Sequence, residues 1–375
     1  MAEWRRTTIG DVMTLQRGFD ITRATQRAGN VPVVSSGGVS SFHDTPAANA
    51  PGVVMGRKGT LGKVFYLDCD YWPHDTTLWV KDFKGNNPRF VYYFLTTLNF
   101  LAMDVGSSNP TLNRNHVHPL SILWPSLKGQ QAIASILGAL DDKIKVNDRI
   151  ASTALELANL RYLVATEDSA KWRPVKLGSC ARWLSGGTPS TSEDTFWGGH
   201  IPWISALSLK SPWITDSDRR LTALGASSGT KVVPPETVIF VVRGSSLKTE
   251  FRIGITQRDV AFGQDCKALI ANEGIDAHLL FHAIRSKTPE ILDFVDETSI
   301  GAGRLSSDLI ANLEVLVPNS TADDIVLELR SLDALAARCE DESRALAALR
   351  DTLLPELMSG KLRIPDAEKI MENAL

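Results

Sequence analysis

A chain of 375 residues is longer than one ordinary domain and points to two or three. With 43% apolar and 22% charged residues it has a globular make-up, and no apolar run reaches the roughly 18–20 residues that span a bilayer. Met1-Ala2-Glu3-Trp4-Arg5-Arg6 lacks the apolar core of a signal peptide, and Cys69, Cys180, Cys266 and Cys339 contain no C-x-x-C pair. A disulfide framework and a thiolate zinc site are therefore not expected, and the chain reads as cytoplasmic with reduced thiols. The net charge of −3 is unevenly spread: +3 over residues 1–127, −1 over 128–170, zero over 171–318 and −5 over 319–375. Basic patches bind phosphate even at small net charge, so composition permits nucleic-acid binding without arguing for it.

In chain order, the first 127 residues show short β-runs broken by Gly, Pro, Ser and Asn. Val53-Val54-Met55 and Leu78-Trp79-Val80 are predicted strands, and Phe90–Leu101 has helical spacing. From Gln130 to about Leu163 there is no Pro and one Gly. Ile133, Leu137, Leu140 and Ile144 form a stripe there, continued by Ala151, Ala154 and Ala158, which predicts a long helix. The β-texture then resumes, with strands predicted at Val238–Val242 and Leu269-Ile270 and a helix over Ile275–Arg285. From Ala322 to Leu354 there is neither Gly nor Pro; Ile325, Leu332, Cys339, Leu346 and Leu353 recur every seven residues, flanked by Leu329, Ala336 and Leu349. A seven-residue repeat implies a helix packed along a partner helix, and the small residues allow close approach. Helices of this length span about 50 Å. Asn147 lies on the apolar row, where it either sets register or is partly exposed.

The chain also repeats itself. Trp4-x5-Gly10 is echoed 168 positions later by Trp172-x5-Gly178, and Leu15 and Gly18 by Trp183 and Gly186. Val31-Pro32-Val33-Val34-Ser35 matches Ile201-Pro202-Trp203-Ile204-Ser205, and Trp72-Pro73-His74-Asp75 lines up with Phe262-Gly263-Gln264-Asp265. Leu120–Pro125 matches Leu313–Pro318, each Pro leading into a long helical stretch, by which point the offset has drifted to 193. Five echoes in one order predict two α+β domains with a pseudo-twofold internal repeat, each followed by a long helix. The expected boundaries are 1–127 and 169–318 for the domains, 128–168 and 319–358 for the helices, and 359–375 for a tail.

This pattern resembles the specificity subunit of type I restriction–modification systems, over essentially the full chain. The likeness rests on the Trp-x5-Gly openings with their Gly turns (Arg17-Gly18; Ser185-Gly186-Gly187-Thr188-Pro189) and on the junction Leu123-Trp124-Pro125-Ser126-Leu127-Lys128-Gly129-Gln130-Gln131-Ala132-Ile133 running into Leu140-Asp141-Asp142-Lys143-Ile144. It rests also on the C-terminal stretch Leu349–Arg363. The resemblance implies a non-catalytic subunit without a cofactor, with two target-recognition domains separated by two long antiparallel coiled-coil-like helices. Each domain would read one half of a bipartite double-stranded DNA target, with the helices as a ruler. Two methyltransferase subunits would be recruited along the helices, and a nuclease–translocase subunit in some complexes. Ile133, Leu137, Leu140, Ile144, Ile325, Leu332, Leu346 and Leu353 are the expected helix-pairing or partner residues. The second junction, Pro318-Asn319-Ser320-Thr321-Ala322-Asp323-Asp324-Ile325, departs from the Gln-Gln-Ala-Ile form of the first.

DNA contacts call for cations and polar side chains on exposed loops. Gly56-Arg57-Lys58-Gly59-Thr60-Leu61-Gly62-Lys63 places Arg57, Lys58 and Lys63 on a glycine-flexed loop that fails the phosphate-loop signature G-x-x-x-x-G-K-[ST]. Arg243-Gly244-Ser245-Ser246-Leu247-Lys248 occupies the similar place in the second copy, with Arg243, Ser245 and Lys248 as candidates. Residues 107–114 and 301–307 form a second matched pair. Arg114 and Arg304 are phosphate candidates there, and Asn109 and Asn113 can reach an adenine edge. Each of these loops reads equally as a solvated turn or helix cap, and Arg17 and Arg23 in the opening turn are weaker candidates. His116-x-His118 lacks a third ligand, so no metal site is expected. Trp72, Trp197, Trp203 and Trp213 read as core or edge packing rather than base-stacking platforms.

Two other functions make different demands on the sequence. Methyl transfer by the chain itself needs a cofactor glycine loop and an Asn/Asp-Pro-Pro-aromatic loop, which Gly301-Ala302-Gly303 and Asn109-Pro110-Thr111 do not supply. A helical scaffold that never reads DNA would leave the target unchanged when residues 1–127 are swapped.

Overall fold

Each half of the chain opens with the same ladder. Trp4–Thr8 pairs antiparallel with Ser121–Pro125, Trp4 facing Pro125. Trp172–Lys176 pairs in the same way with Glu314–Pro318, Trp172 facing Pro318. The computed structural model describes residues 4–100, 111–297, 302–319 and 323–372. It divides into two compact units, Met1–Val146 with Glu342–Leu375, and Asn147–Asp341.

In the first unit the ladder runs into a short helix, Ile9–Val12, closed by a reciprocal cap between Thr8 and Asp11. An antiparallel sheet follows in the order Thr14–Arg17, Thr77–Asp82, Gly52–Gly56, Val64–Leu67. A smaller sheet places Val31–Ser35 between Gly38–His43 and Trp72–Pro73. The predicted helix begins at Pro88 and ends at Thr96, because Asn87 caps it and Pro88 suits its first turn. It buries Phe90, Phe94 and Leu95, and both Phe rings meet the edge or face of Trp124 at about 5 Å.

The second unit repeats this plan with additions. Its main sheet runs Ala181–Ser185, Cys266–Ala271, Val238–Val241, Ile253–Thr256, with Trp213–Ile214 as a fifth strand. In the smaller sheet Trp197–Ile204 takes the place of Val31–Ser35, and Val260–Phe262 that of Trp72–Pro73. The helix there is Ala277–Ser286, started by the Asp276 carboxylate, which accepts the His278 and Leu279 N–H groups. Hydrogen bonds correct one predicted correspondence by a residue. Phe19 and Gly187 donate to the carbonyls of Pro73 and Phe262, and His74 and Gly263 donate to those of Val34 and Ile204. Pro73, not Trp72, is thus the counterpart of Phe262; matching side chains had favoured the aromatic pair, but backbone register is set by the ladder.

The two Pro-ended strands lead into helices Leu127–Thr166 and Asp323–Met358. In the first unit Ile133, Leu137 and Leu140 are buried in one core with Leu346, Leu353 and Leu357, and Ile144 packs against it. Arg350 donates to Asp141 at 2.7 Å and Lys143 pairs with Glu342 at 3.4 Å. In the second unit Ala151, Ala154 and Ala158 share a core with Leu329, Ala336 and Cys339, against which Ile325 and Leu332 pack. Arg161 makes a forked pair with Glu328 at 2.6 and 2.9 Å. Partner numbers rise along one helix as they fall along the other, so the pair is antiparallel. Asn147 is buried rather than partly exposed.

Each opening Trp also meets the end of a long helix. Trp172 lies edge-on to Tyr162 at 5.8 Å, and Tyr162 donates to the Leu316 carbonyl. Trp4 covers Gly360, the left-handed residue (φ 71°) that ends the second helix. A Cβ there would sit 3.0 Å from the Trp4 indole nitrogen, so only glycine fits both turn and ring.

Candidate nucleic-acid interface

The first cationic loop begins where the strand Gly52–Gly56 leaves its sheet. Gly56 N–H donates to the Lys63 carbonyl and Gly62 N–H to that of Gly56, closing the turn. Arg57 and Lys58 both donate their backbone N–H to the Thr76 carbonyl. Leu112 then donates to the Arg57 carbonyl, and Lys58 stands opposite Thr111 across a β-bridge. The structure therefore brings two loops that are far apart in sequence to one place.

The second unit builds the same junction bond for bond. Val242 and Arg243 donate to the Asp265 carbonyl, Leu305 donates to that of Val242, and Arg243 stands opposite Arg304. Lys58 thus corresponds to Arg243, and Thr111 rather than Arg114 to Arg304. Gly59 and Gly244, next in each loop, both have positive φ (82° and 155°). Opposed residues of an antiparallel pair project to the same face, so two guanidiniums share one side of the ladder. Like charges directly opposed destabilise a sheet unless an anion lies between them. Two carboxylates partly relieve this: that of Asp265 stands 3.8 Å from Arg243, and Asp296 stands opposite Arg304 in the next strand of the ladder.

The remaining candidates separate by their surroundings. Lys58, Lys63, Arg114, Ser245, Lys248 and Arg304 are exposed. Arg57 is half-buried and donates to the Asp75 carbonyl at 3.4 Å. Lys63 lies 5.4 Å from the Phe65 ring centre. Arg17 is exposed and ion-paired with Asp75 at 2.8 Å and Asp20 at 3.4 Å. Burial pushes the Asp75 carboxyl up, but the Arg17 hydrogen bond and the His74 and Arg17 charges leave it below the usual range. Asn113 caps the helix Arg114–Val117, its side-chain oxygen accepting the Asn115 N–H at 3.0 Å. Asn109 lies outside the described residues.

His118 accepts the Leu15 N–H on Nε2 at 3.0 Å, and burial, with Arg114 and Lys84 nearby, holds it below the usual imidazole range. That ring is a structural acceptor, and among the described residues no cluster of His, Cys, Asp and Glu fits a metal ion. Nor, among them, is any helix long and apolar enough to cross a membrane. Trp203 and Trp213 are buried, as packing residues should be. Trp197 and Trp203 meet edge-on at 5.5 Å, and Arg219 lies over both. Nothing in the sequence reading singled out Arg219: it stands 22 positions beyond Trp197, and only folding brings them together.

Residues 1–154 match the family model described as the type I restriction modification DNA specificity domain. The chain is 25% identical over 300 residues to the EcoR124I/EcoR124II specificity subunit of Escherichia coli, covering 76% of this chain and 72% of that one. It is 21% identical to the HindI specificity subunit of Haemophilus influenzae, covering 96% of this chain and all of that one. Its fold matches the crystal structure of a type I restriction–modification S subunit from M. genitalium with a TM-score of 0.66 at 17% identity, over 95% and 96% of the two chains. Two repeated domains, an antiparallel helix pair and these likenesses converge: residues 1–154 match a type I restriction modification DNA specificity domain, and the chain as a whole is similar to the specificity subunits of type I restriction enzymes.

Proposed function

We propose that each unit's recognition domain, residues 1–127 and 169–318, reads one half of a bipartite DNA target, and that the chain does no chemistry itself. The observation that carries this reading is the loop junction repeated in both units, Lys58 opposite Thr111 and Arg243 opposite Arg304. A cation on a hydrogen-bonded loop can anchor a phosphate while neighbouring side chains reach base edges. Lys58, Arg243 and Arg304 are the phosphate anchors, with Arg57, Lys63, Arg114, Ser245 and Lys248 around them.

The long helices act as the ruler and as the docking site for two methyltransferase subunits, which supply the catalysis, with a nuclease–translocase subunit added in complexes that cut. Ile133, Leu137, Leu140, Ile144, Ile325, Leu332, Leu346 and Leu353 hold the helices to each other and to the domains. Ile150, Leu157, Leu160 and Val164 form a separate exposed apolar stripe on the first helix, and this is the surface we assign to a methyltransferase partner. An assembly that acts on the chromosome works in the cytoplasm.

The test is to exchange residues 1–127 for the same segment of a relative and map methylated motifs in cells. One half-site should change and the other persist; a motif altered in both halves, or in neither, would count against two independent readers.

A further inference from the structure

Arg219 is set apart from the other arginines of the second unit by what holds it. Its guanidinium carbon lies 3.7 Å from the ring centre of Trp197 and 4.9 Å from that of Trp203. Arg220, its neighbour, is instead ion-paired with Asp216. Among the described residues the Arg219 side chain forms no ion pair, and it is exposed. A guanidinium held against an indole by cation–π attraction keeps its N–H donors available for another partner.

The platform beneath is tied down by hydrogen bonds and packing. Trp203 is buried, and its indole N–H donates to the Gly187 carbonyl at 3.1 Å. Its ring lies so close to Gly263 that a Cβ there would stand 2.9 Å from it. Trp197 donates its indole N–H to the Ser190 carbonyl at 3.0 Å. The stack is thereby wedged between the opening turn of the domain and the segment 263–265, whose Asp265 carries the Arg243 loop. It belongs to the same region of the second unit as the Arg243–Arg304 junction.

We propose that Arg219 is a specificity-determining residue of the second recognition domain, its guanidinium, placed against the two tryptophans, reading a guanine in that half-site through O6 and N7. This rests on the two-reader function proposed above. Arg to guanine is the commonest specific side-chain pairing in the major groove, and its fork must be presented edge-on. A phosphate anchor needs only charge, whereas a base reader gains from an arginine whose rotamer is already fixed.

The experiment uses the full chain co-expressed with its methyltransferase subunits, with genome-wide mapping of methylated motifs and measured DNA binding for wild type, Arg219→Ala and Arg219→Lys. Both variants should turn one guanine of a single half-site degenerate, with discrimination there falling roughly ten- to hundredfold. The other half-site should stay intact. Arg219→Lys keeps the charge and its contact with the tryptophans but loses the fork, so it decides the matter if Arg219→Ala does not assemble.

An unchanged motif in both variants overturns the assignment. So does an equal loss of affinity on every sequence, which would make Arg219 a phosphate contact. If the wild-type motif does not respond to replacement of residues 169–318, the two-reader function itself fails. A motif that responds to that swap but not to Arg219 variants removes only this residue's role.

Discussion

At the scale of single residues, charge alone separates the candidates poorly, and hydrogen bonding separates them well. Arg17 and Arg243 are both exposed arginines beside a glycine. Arg17 is held by two carboxylates, whereas Arg243 faces a second arginine with one carboxylate at the edge of ion-pair range. If Arg243 and Lys58 are phosphate anchors, replacing either with Ala should weaken DNA binding on all sequences alike. The salt dependence, plotted as log affinity against log salt, should become shallower by about one per residue removed. Arg17→Ala should leave that slope unchanged; a smaller slope for Arg17→Ala than for Arg243→Ala would reverse the assignment. None of this was legible in the sequence, where all three cations sit beside glycine. The ion pairs come from residues as distant as Asp75, 58 positions beyond Arg17.

At the scale of elements, the second unit fixes its helix Ala277–Ser286 to the second long helix by a buried polar clasp. His278 and His282, one turn apart, both donate to the Asp333 carboxylate, at 2.7 and 3.0 Å. One turn earlier, Arg330 reaches Asp276, the residue that caps the same helix, and also Glu236. Burial pushes the Asp333 carboxyl up, yet the two histidine hydrogen bonds outweigh this and hold it below its ordinary value of 3.8. A carboxyl depressed in the folded state stabilises it fully above that ordinary value, and the stabilisation fades as pH falls through the lower folded one. Asp333→Ala should cost on the order of 3 kcal/mol at neutral pH, because it strands two buried histidines. The difference from wild type should shrink below about pH 4. Hydrogen exchange over residues 277–286, compared at pH 7 and pH 3.5, reads both effects; equal protection at pH 7 would remove the clasp from the account. The sequence showed both helices through their apolar periods but not the clasp, since a period reports which face is buried and not which polar groups meet there.

At the scale of the whole molecule, each compact unit combines one domain with part of both long helices. The helices are therefore not a linker appended to finished domains: Ile133 and Leu353 belong to the first core, Ala158 and Ala336 to the second. If the helices act as the ruler proposed above, their length makes a quantitative prediction. One added heptad in each helix lengthens the pair by about 10 Å, close to three base pairs at roughly 3.4 Å each. Methylome mapping of such a variant should show both half-sites retained and the unread spacer longer by about three. An unchanged spacer would mean that something other than helix length sets it.

The sequence by itself determined the two-copy plan, the alternation of β-rich domain and long helix, and the resemblance to type I specificity subunits. Those features are written in local composition and in period, which depend on neighbours a few residues apart. It also placed four cationic loop segments at matching positions. Tertiary structure decided how those segments pair, moved one correspondence by a residue and gave Arg304 the counterpart Thr111 instead of Arg114. It also paired Arg17 with Asp75 and put Arg219 on its tryptophans. These decisions rest on ladder register and on side chains meeting across tens or hundreds of positions, and no local pattern in the chain encodes them.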